Sequence, residues 1–162
     1  MKKVIALTCF SCMLLFWGCS DPVSSPPDIP IGILLSAADT LTLENQKIVM
    51  TTYMWRDFMP ISPPGGKPLA AIIYIETIDK STISPSITSD AIYIVKGNEV
   101  WKSNFSNEQL PSDVIIPFRI VKIARDGPKW GPGIYVDVVV RLKVNGASYL
   151  LKSSQQYIGR TD

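Results

Sequence analysis

Apolar and polar residues alternate with a period of two along most of the chain after Pro30. The alternation is clearest from Ile134 to Val144, where every even-numbered position is aliphatic and the odd-numbered positions are mainly polar. A β-strand that buries one of its faces has this period. Asn145-Gly146 follows directly, and this pair favours a two-residue type I′ turn because both of its central positions need a positive φ. The pattern therefore predicts a strand, a tight turn and a second strand.

A two-residue turn fixes the register of this hairpin, since each residue before the turn then has one partner after it. The predicted partners are Val144 with Ala147, Leu142 with Tyr149, Val140 with Leu151 and Ile134 with Tyr157. The second strand becomes polar at Ser153 and Gln155. We therefore expect its later part to lie at a sheet edge or beside a loop.

Other alternating or isoleucine-rich segments predict the remaining strands. They are 31–35, one bent strand or two strands within 40–54, then 69–78, 91–95, 99–105 and 114–123. Pro117 indicates that the last of these lies at an edge or contains a bulge, because proline cannot donate a backbone hydrogen bond. Sequences rich in Pro, Gly and Ser separate the segments, and none of them has sustained helical spacing.

Seven or eight strands with turns at these intervals favour an all-β fold, an antiparallel β-sandwich. Their number and spacing resemble those of immunoglobulin-like and fibronectin type III-like modules, although the Cys…Trp…Cys pattern of true immunoglobulin domains is absent. A small closed β-barrel is the alternative. We expect one such domain, at 31–162.

The first residues have the layout of an export signal. Lys2 and Lys3 precede an uncharged run over 4–17, which is too short to span a bilayer comfortably. Gly18-Cys19 at its end resembles the lipobox of bacterial lipoproteins. The resemblance implies a signal peptide at 1–18, cleavage before Cys19, and acyl chains including palmitate attached at that residue. Ser20 stands where an aspartate would retain a lipoprotein in the inner membrane, so the resemblance further implies a bacterial cell-envelope protein anchored by lipid in the outer membrane.

Residues 19–30 link this signal to the predicted domain. Four prolines between 20 and 30 exclude a helix or a central strand. A proline-rich segment of this length extends about 3.1 Å per residue, and it would hold a domain roughly 30 Å from its anchor. We therefore predict a Pro/Ser-rich tether at 19–30.

The composition excludes several classes of function. Loss of Lys2 and Lys3 with the signal would reduce the 16 basic residues to 14, equal to the 14 acidic ones, so nothing favours binding to nucleic acid. Histidine is absent, which removes the commonest general base and metal ligand. The three cysteines all lie at or before position 19, which leaves no thiol in the predicted domain. No phosphate-binding glycine motif is present. We expect no enzymatic activity, no metal and no cofactor.

Aromatic residues are the candidates for contact with a ligand or partner. Trp130 lies in a turn rich in Gly and Pro, Trp101 lies in the predicted strand 99–105, and Tyr53 and Trp55 belong to a dense aromatic group. An exposed indole presents a flat face for stacking on a sugar or on a partner's side chain. A structural interpretation competes with this one, with Trp55 filling the centre of the sandwich and Trp130 capping the core. Arg56-Asp57 is interpreted as a local ion pair or a loop brace.

Three classes of function fit these observations. The first is a lipid-anchored accessory or interaction module without catalytic activity, which contacts an envelope protein or a glycan at the cell surface. The second is a carbohydrate-binding module that uses the exposed aromatics. The third is a hydrolase whose two carboxylates come from distant strands, and it requires such a pair within roughly 10 Å in a cleft.

Overall fold

A computed structural model describes residues 28–108 and 116–162, and within these ranges the fold is almost entirely β. The elements are α1 (Ile31–Leu35), β1 (Leu41–Leu43), β2 (Gln46–Asp57), β3 (Leu69–Thr77), β4 (Thr88–Lys96), β5 (Glu99–Asn104), β6 (Arg119–Gly127), β7 (Ile134–Val144) and β8 (Ala147–Thr161). The all-β prediction is confirmed. Among the described residues, no helix is long and apolar enough to cross a membrane.

The described strands form one mixed sheet. Their order is β5-β4-β7-β8-β2-β3-β6, and β1 pairs with β2. Neighbouring strands are antiparallel except β2 and β8, which are parallel. The sheet curls into a half-barrel, and Ser106 forms a bridge to Ile123 where its two edges approach each other. The finer prediction of two packed sheets in an immunoglobulin-like sandwich is not confirmed.

The predicted hairpin forms with the predicted turn. β7 spans Ile134–Val144, and Asn145 and Gly146 have φ values of 49° and 83°. The first three predicted pairs are present, from Val144 with Ala147 to Val140 with Leu151. The prediction is confirmed here because a two-residue turn leaves no freedom in the register of the adjoining positions.

A β-bulge then changes the register. Gln155 has a φ of 53°, and its backbone N–H donates a 3.0 Å hydrogen bond to Asp137 Oδ1 instead of to the strand ladder. Tyr157 consequently lies opposite Tyr135, so its predicted pairing with Ile134 is wrong. One extra residue in a strand moves every following side chain to the other face of the sheet.

The later part of β8 lies inside the sheet, and the prediction of an edge there is wrong. β8 is placed between β7 and β2, and Met54–Asp57 of β2 pairs with Ile158–Thr161. The polar residues around Gln155 mark the bulge, whereas an edge strand would have left its backbone groups unpaired.

The predicted strand at 31–35 is helix α1, so this prediction is wrong. Five apolar residues are too few to distinguish the two periods. Leu34 of α1 is fully buried against the outer face of β4 and β7, where it joins Tyr93 and Val139 in a small apolar cluster. The first residues described already contact this face, since Asp28 Oδ1 accepts a 2.9 Å hydrogen bond from the Tyr93 hydroxyl.

The main core fills the concave face of the sheet. It consists largely of aliphatic side chains from β2, β3, β4, β7 and β8, with Trp130 added from the loop before β7. β6 is the edge strand that Pro117 indicated, and it begins at Arg119. Val114 and Ile115 of that predicted strand lie outside the described residues, as do the predicted signal, Cys19 and the tether up to residue 27.

Candidate functional site

Four aromatic side chains lie together on the convex face of the sheet. Tyr135 and Tyr157 are cross-strand partners on β7 and β8, with ring centroids 5.3 Å apart. Tyr53 and Trp55 lie two residues apart on β2, with ring centroids 5.2 Å apart and an interplanar angle of 32°. We name Tyr135, Tyr157, Tyr53 and Trp55 the aromatic row.

Register places the two aromatic pairs side by side. Met54 of β2 pairs with Ile158 of β8, and both point into the core. Because successive side chains of a strand point to opposite faces, the preceding residues, Tyr53 and Tyr157, project together from the convex face. The aromatic row therefore crosses three adjacent strands.

Solvent reaches most of the aromatic row. The exposed fraction is 60% for Tyr135, 54% for Tyr53 and 53% for Tyr157, while Trp55 is half-buried. Trp55 is flanked in register by Gly159 and Ala70, neither of which carries a side chain larger than a methyl group. Neither neighbouring strand thus places a large side chain directly beside the indole ring.

A cleft of about 180 Å³ adjoins the Trp55 end of the aromatic row. Besides Trp55, its polar lining comes from Asp57, Lys67, Arg125 and Asp126. These residues are brought together because β2, β3 and β6 are neighbours and all reach this end of the sheet. Two carboxylates and two cations therefore lie beside one aromatic ring.

The cations of the cleft already have carboxylate partners. Lys67 Nζ lies 2.7 Å from Asp57 Oδ2, and Arg125 binds the Glu108 carboxylate through Nε and a second guanidinium nitrogen. The hydrogen bond from Lys67 and one from the backbone N–H of Met59 lower the pKa of Asp57 below its ordinary value. Both cations that line the cleft are therefore engaged in ion pairs.

The structure separates the four aromatic residues that the sequence singled out. Tyr53 and Trp55 are together on the convex face, so the prediction that Trp55 fills the centre of the core is wrong; Met54 occupies the inward position beside it. Trp130 is 8% exposed and belongs to the main core, as the capping interpretation required. Trp101 is half-buried on β5 and packs against the same core.

Arg56 is a loop brace, as one of the two interpretations of Arg56-Asp57 predicted. Its side chain points into the concave face and is 3% exposed, whereas Asp57 points outward to Lys67. The guanidinium donates to the carbonyls of Gly65 and Lys67 in one loop and of Lys129 and Trp130 in another. Burial lowers the pKa of Arg56 from its ordinary value.

Sequence reasoning did not select Tyr135 and Tyr157 as site residues. Tyr135 occupies an odd-numbered position of β7, so its outward direction was readable from the alternation. Tyr157 was assigned to the buried face because the bulge at Gln155 was not foreseen. A glutamine gives no specific signal for the left-handed backbone that this bulge requires.

No protein family, curated protein or solved structure matches this chain. Over residues 28–108 and 116–162, no three acidic side chains come close enough together to hold a metal ion.

Proposed function

We propose that this protein is a non-catalytic binding module, anchored by lipid at Cys19 in the bacterial outer membrane, that contacts an envelope component through the aromatic row. The observation that carries the binding role is the exposure of three tyrosines beside a half-buried tryptophan on one sheet face. Contiguous exposed apolar surface on a protein often marks a contact site. Aromatic side chains are also enriched where proteins contact their partners.

The contrast with the other half of the convex face supports this role. On β4 and β7, the apolar side chains of that face are covered by α1, with Leu34 fully buried among them. The aromatic row lies on the same convex face but is left exposed. The chain thus covers one apolar area with its own residues and presents the other to solvent.

The hydrolase alternative has one observation in its favour, since Asp57 and Asp126 line the same cleft. A glycosidase-type general acid needs a raised pKa so that it carries a proton at working pH. Lys67 instead lowers the pKa of Asp57 and holds its carboxylate in an ion pair. This arrangement favours a binding role over an acid–base role for the cleft.

Binding to the envelope tests the role of the aromatic row. Three proteins, all carrying Cys19→Ser so that the proposed lipid anchor cannot itself hold them in the pellet, are mixed with isolated envelope fragments, and the sedimenting fraction is measured. One is otherwise unaltered, one carries Tyr53→Ala/Tyr157→Ala, and one carries Tyr149→Ala. We expect the double variant to sediment less. Tyr149→Ala is the matched control, because Tyr149 is also exposed on β8 but lies opposite Leu142, on the other face of the sheet. Equal sedimentation of all three proteins would exclude the aromatic row as the contact.

The anchor is tested separately. Cys19→Ser produced in a bacterium is expected to incorporate no radiolabelled palmitate and to leave the membrane fraction. Cys12→Ser is the control, since Cys12 lies in the predicted signal and its loss leaves the anchor unchanged. Undiminished labelling of Cys19→Ser contradicts the anchor.

A further inference from the structure

We infer that the ligand of the aromatic row is a neutral polysaccharide chain, which lies across the aromatic row and places one sugar in the cleft beside Trp55. This inference rests on the proposed binding function and adds the chemical class of the ligand.

The area of the aromatic row is small for a protein partner. An aromatic side chain carries about 150–250 Å² of surface, and the tyrosines of the aromatic row are each a little over half exposed. The four rings together therefore present about 400 Å², whereas a stable protein interface buries about 800 Å² on each partner. A second copy of the chain or a folded protein would therefore have to bury about as much again of the surface around the aromatic row.

The shape of the aromatic row fits a narrow, extended ligand. Tyr135, Tyr157 and Tyr53 lie on successive strands, and Trp55 continues the aromatic row along β2. The ring centroids are 5.3 Å apart and the ring planes 53° apart in the Tyr135–Tyr157 pair, against 5.2 Å and 32° in the Tyr53–Trp55 pair. A sugar ring has an apolar face of C–H groups, and the partial positive charge of these groups suits the negative face of an aromatic ring. Because neighbouring rings are tilted, the aromatic row fits a chain whose sugar rings turn relative to one another from one sugar to the next.

The cleft supplies the polar part of such a site. Asp57 and Asp126 offer acceptors, and Lys67 and Arg125 offer donors. A hydroxyl group donates one hydrogen bond and accepts two, so a sugar in the cleft can use both kinds of group. Binding sites for small ligands commonly combine apolar walls with a few polar groups in this way.

The charge of the cleft favours a neutral ligand over an anionic one. Lys67 is paired with Asp57 and Arg125 with Glu108, so the charge of each cation is already balanced by a carboxylate, although both groups keep N–H donors for a hydroxyl. Asp126 adds a further carboxylate to the lining. An acidic polysaccharide or a phosphate group would be repelled by these carboxylates, whereas a neutral sugar would not.

The test uses the full chain and two neutral probes, cellohexaose and chitohexaose, with polygalacturonate as the anionic probe. Binding is measured by titration calorimetry in about 50 mM and about 500 mM NaCl. We expect at least one neutral probe to bind, with an affinity that changes less than twofold between these salt concentrations, and polygalacturonate not to bind. Binding of polygalacturonate that weakens in high salt would replace the neutral ligand with an anionic one.

Variants locate the site. Trp55→Ala and Tyr135→Ala are each expected to weaken binding of the neutral probe about tenfold or more, while Tyr149→Ala leaves it unchanged. Thermal unfolding of each variant shows whether the sheet is intact. Tyr135→Phe keeps the ring and should bind like the unaltered chain, so a loss of binding in Tyr135→Ala that is absent in Tyr135→Phe reports stacking.

The two proposals fail in different ways. If neither hexasaccharide binds at millimolar concentration, the inference about the ligand is wrong, while loss of envelope sedimentation in Tyr53→Ala/Tyr157→Ala still supports the binding function. If the hexasaccharides bind but all row variants bind equally well, the sugar site lies elsewhere and this inference is also wrong. If sedimentation does not depend on the aromatic row, the proposed function itself fails.

Discussion

The Trp130 indole nitrogen donates a 2.7 Å hydrogen bond to Glu99 Oε2. This bond joins the loop before β7 to the first residue of β5, while the indole ring packs into the main core. The hydrogen bonds from Trp130 and Lys96 lower the pKa of Glu99 below its ordinary value. Trp130 therefore acts as a structural link between a loop and a sheet edge.

Trp130→Ala is expected to destabilise the fold by about 3–5 kcal/mol, because it leaves a cavity in the core. Trp130→Phe removes the N–H and part of the ring, and we expect a loss of about 1–2 kcal/mol. Trp55→Phe is the control on the convex face, where the loss should be within about 0.5 kcal/mol. Urea unfolding measures all three; an equal effect of Trp130→Phe and Trp55→Phe contradicts the structural role of Trp130.

Arg56 links two loops through its guanidinium group, and this link can be tested in the same way as that of Trp130. Arg56→Met keeps much of the side-chain volume but leaves four buried or partly buried carbonyls without their donor, so we expect a loss of about 2–4 kcal/mol in the free energy of unfolding. Arg56→Lys should lose less, because an ammonium group still supplies three donors. Lys47→Ala, an exposed position on the same strand, serves as the control and should be nearly neutral. If Arg56→Met and Lys47→Ala unfold at the same urea concentration, Arg56 does not brace the two loops.

Asp90 should contribute to the free energy of unfolding in a way that is lost in acid. Hydrogen bonds from Arg141, followed by those from Lys143, outweigh burial and lower the pKa of Asp90 to about 2, from 3.8. The folded state thus favours the carboxylate, so the stabilisation is full above pH 3.8 and is lost as the pH falls towards 2. Because both side chains are partly exposed, we expect about 1 kcal/mol.

The measurement for Asp90 is the urea midpoint between about pH 6 and pH 2. Asp90→Asn should be less stable than the unaltered chain at pH 6, and the two should converge towards pH 2. Asp39→Asn, at an exposed aspartate, provides the comparison. A difference between Asp90→Asn and the unaltered chain that is constant with pH would show that the carboxylate does not titrate as inferred.

Tyr93 should make the stability of the fold depend on pH at the alkaline end. Burial, followed by the hydrogen bond to Asp28, raises the pKa of Tyr93 to about 12 from 10.0. The folded state favours the protonated phenol, so its stabilisation is full below pH 10 and is lost as the pH rises towards 12. Tyr93→Phe should abolish this fall in stability at high pH. At neutral pH it should lower the free energy of unfolding by about 1 kcal/mol, because it deletes one hydrogen bond.

Chemical denaturation between about pH 8 and pH 12 compares Tyr93→Phe with the unaltered chain. Their difference in stability should shrink as the pH rises, because other groups titrate equally in both. Tyr53→Phe, at an exposed tyrosine, is the control. A difference that grows above pH 10 would reverse the sign and contradict the inferred burial of the phenol.

Sequence reasoning reached the parts of this fold that local chemistry determines. Asn145-Gly146 fixes a turn and the register next to it, and alternation identifies β7 at its observed bounds. It did not reach the bulge at Gln155, since no special residue type marks it, or the helix at 31–35, which is too short for its period to be read. The parallel pairing of β2 with β8 joins segments about 100 residues apart, and no local pattern specifies it.

The candidate site was predictable only in part, for the same reason. Tyr53 and Trp55 share one face of β2 in any extended conformation, so their proximity was implied by the sequence. Which face points outward depends on the pairing of β2 with β3 and β8. The cleft could not be predicted from the sequence, because Lys67 and Arg125 come together only when β2, β3 and β6 become neighbours.

The position of β8 also sets the time at which the sheet can be completed. β8 follows every other described strand along the chain, yet it is the partner that joins β7 to β2. Until β8 leaves the ribosome, the bridge from Ser106 to Ile123 is therefore the one backbone pairing, among the described residues, that can connect the group β2-β3-β6 with the group β5-β4-β7. The pairings that β8 makes with β7 and β2 are therefore the last strand pairings of the described chain that synthesis allows to form.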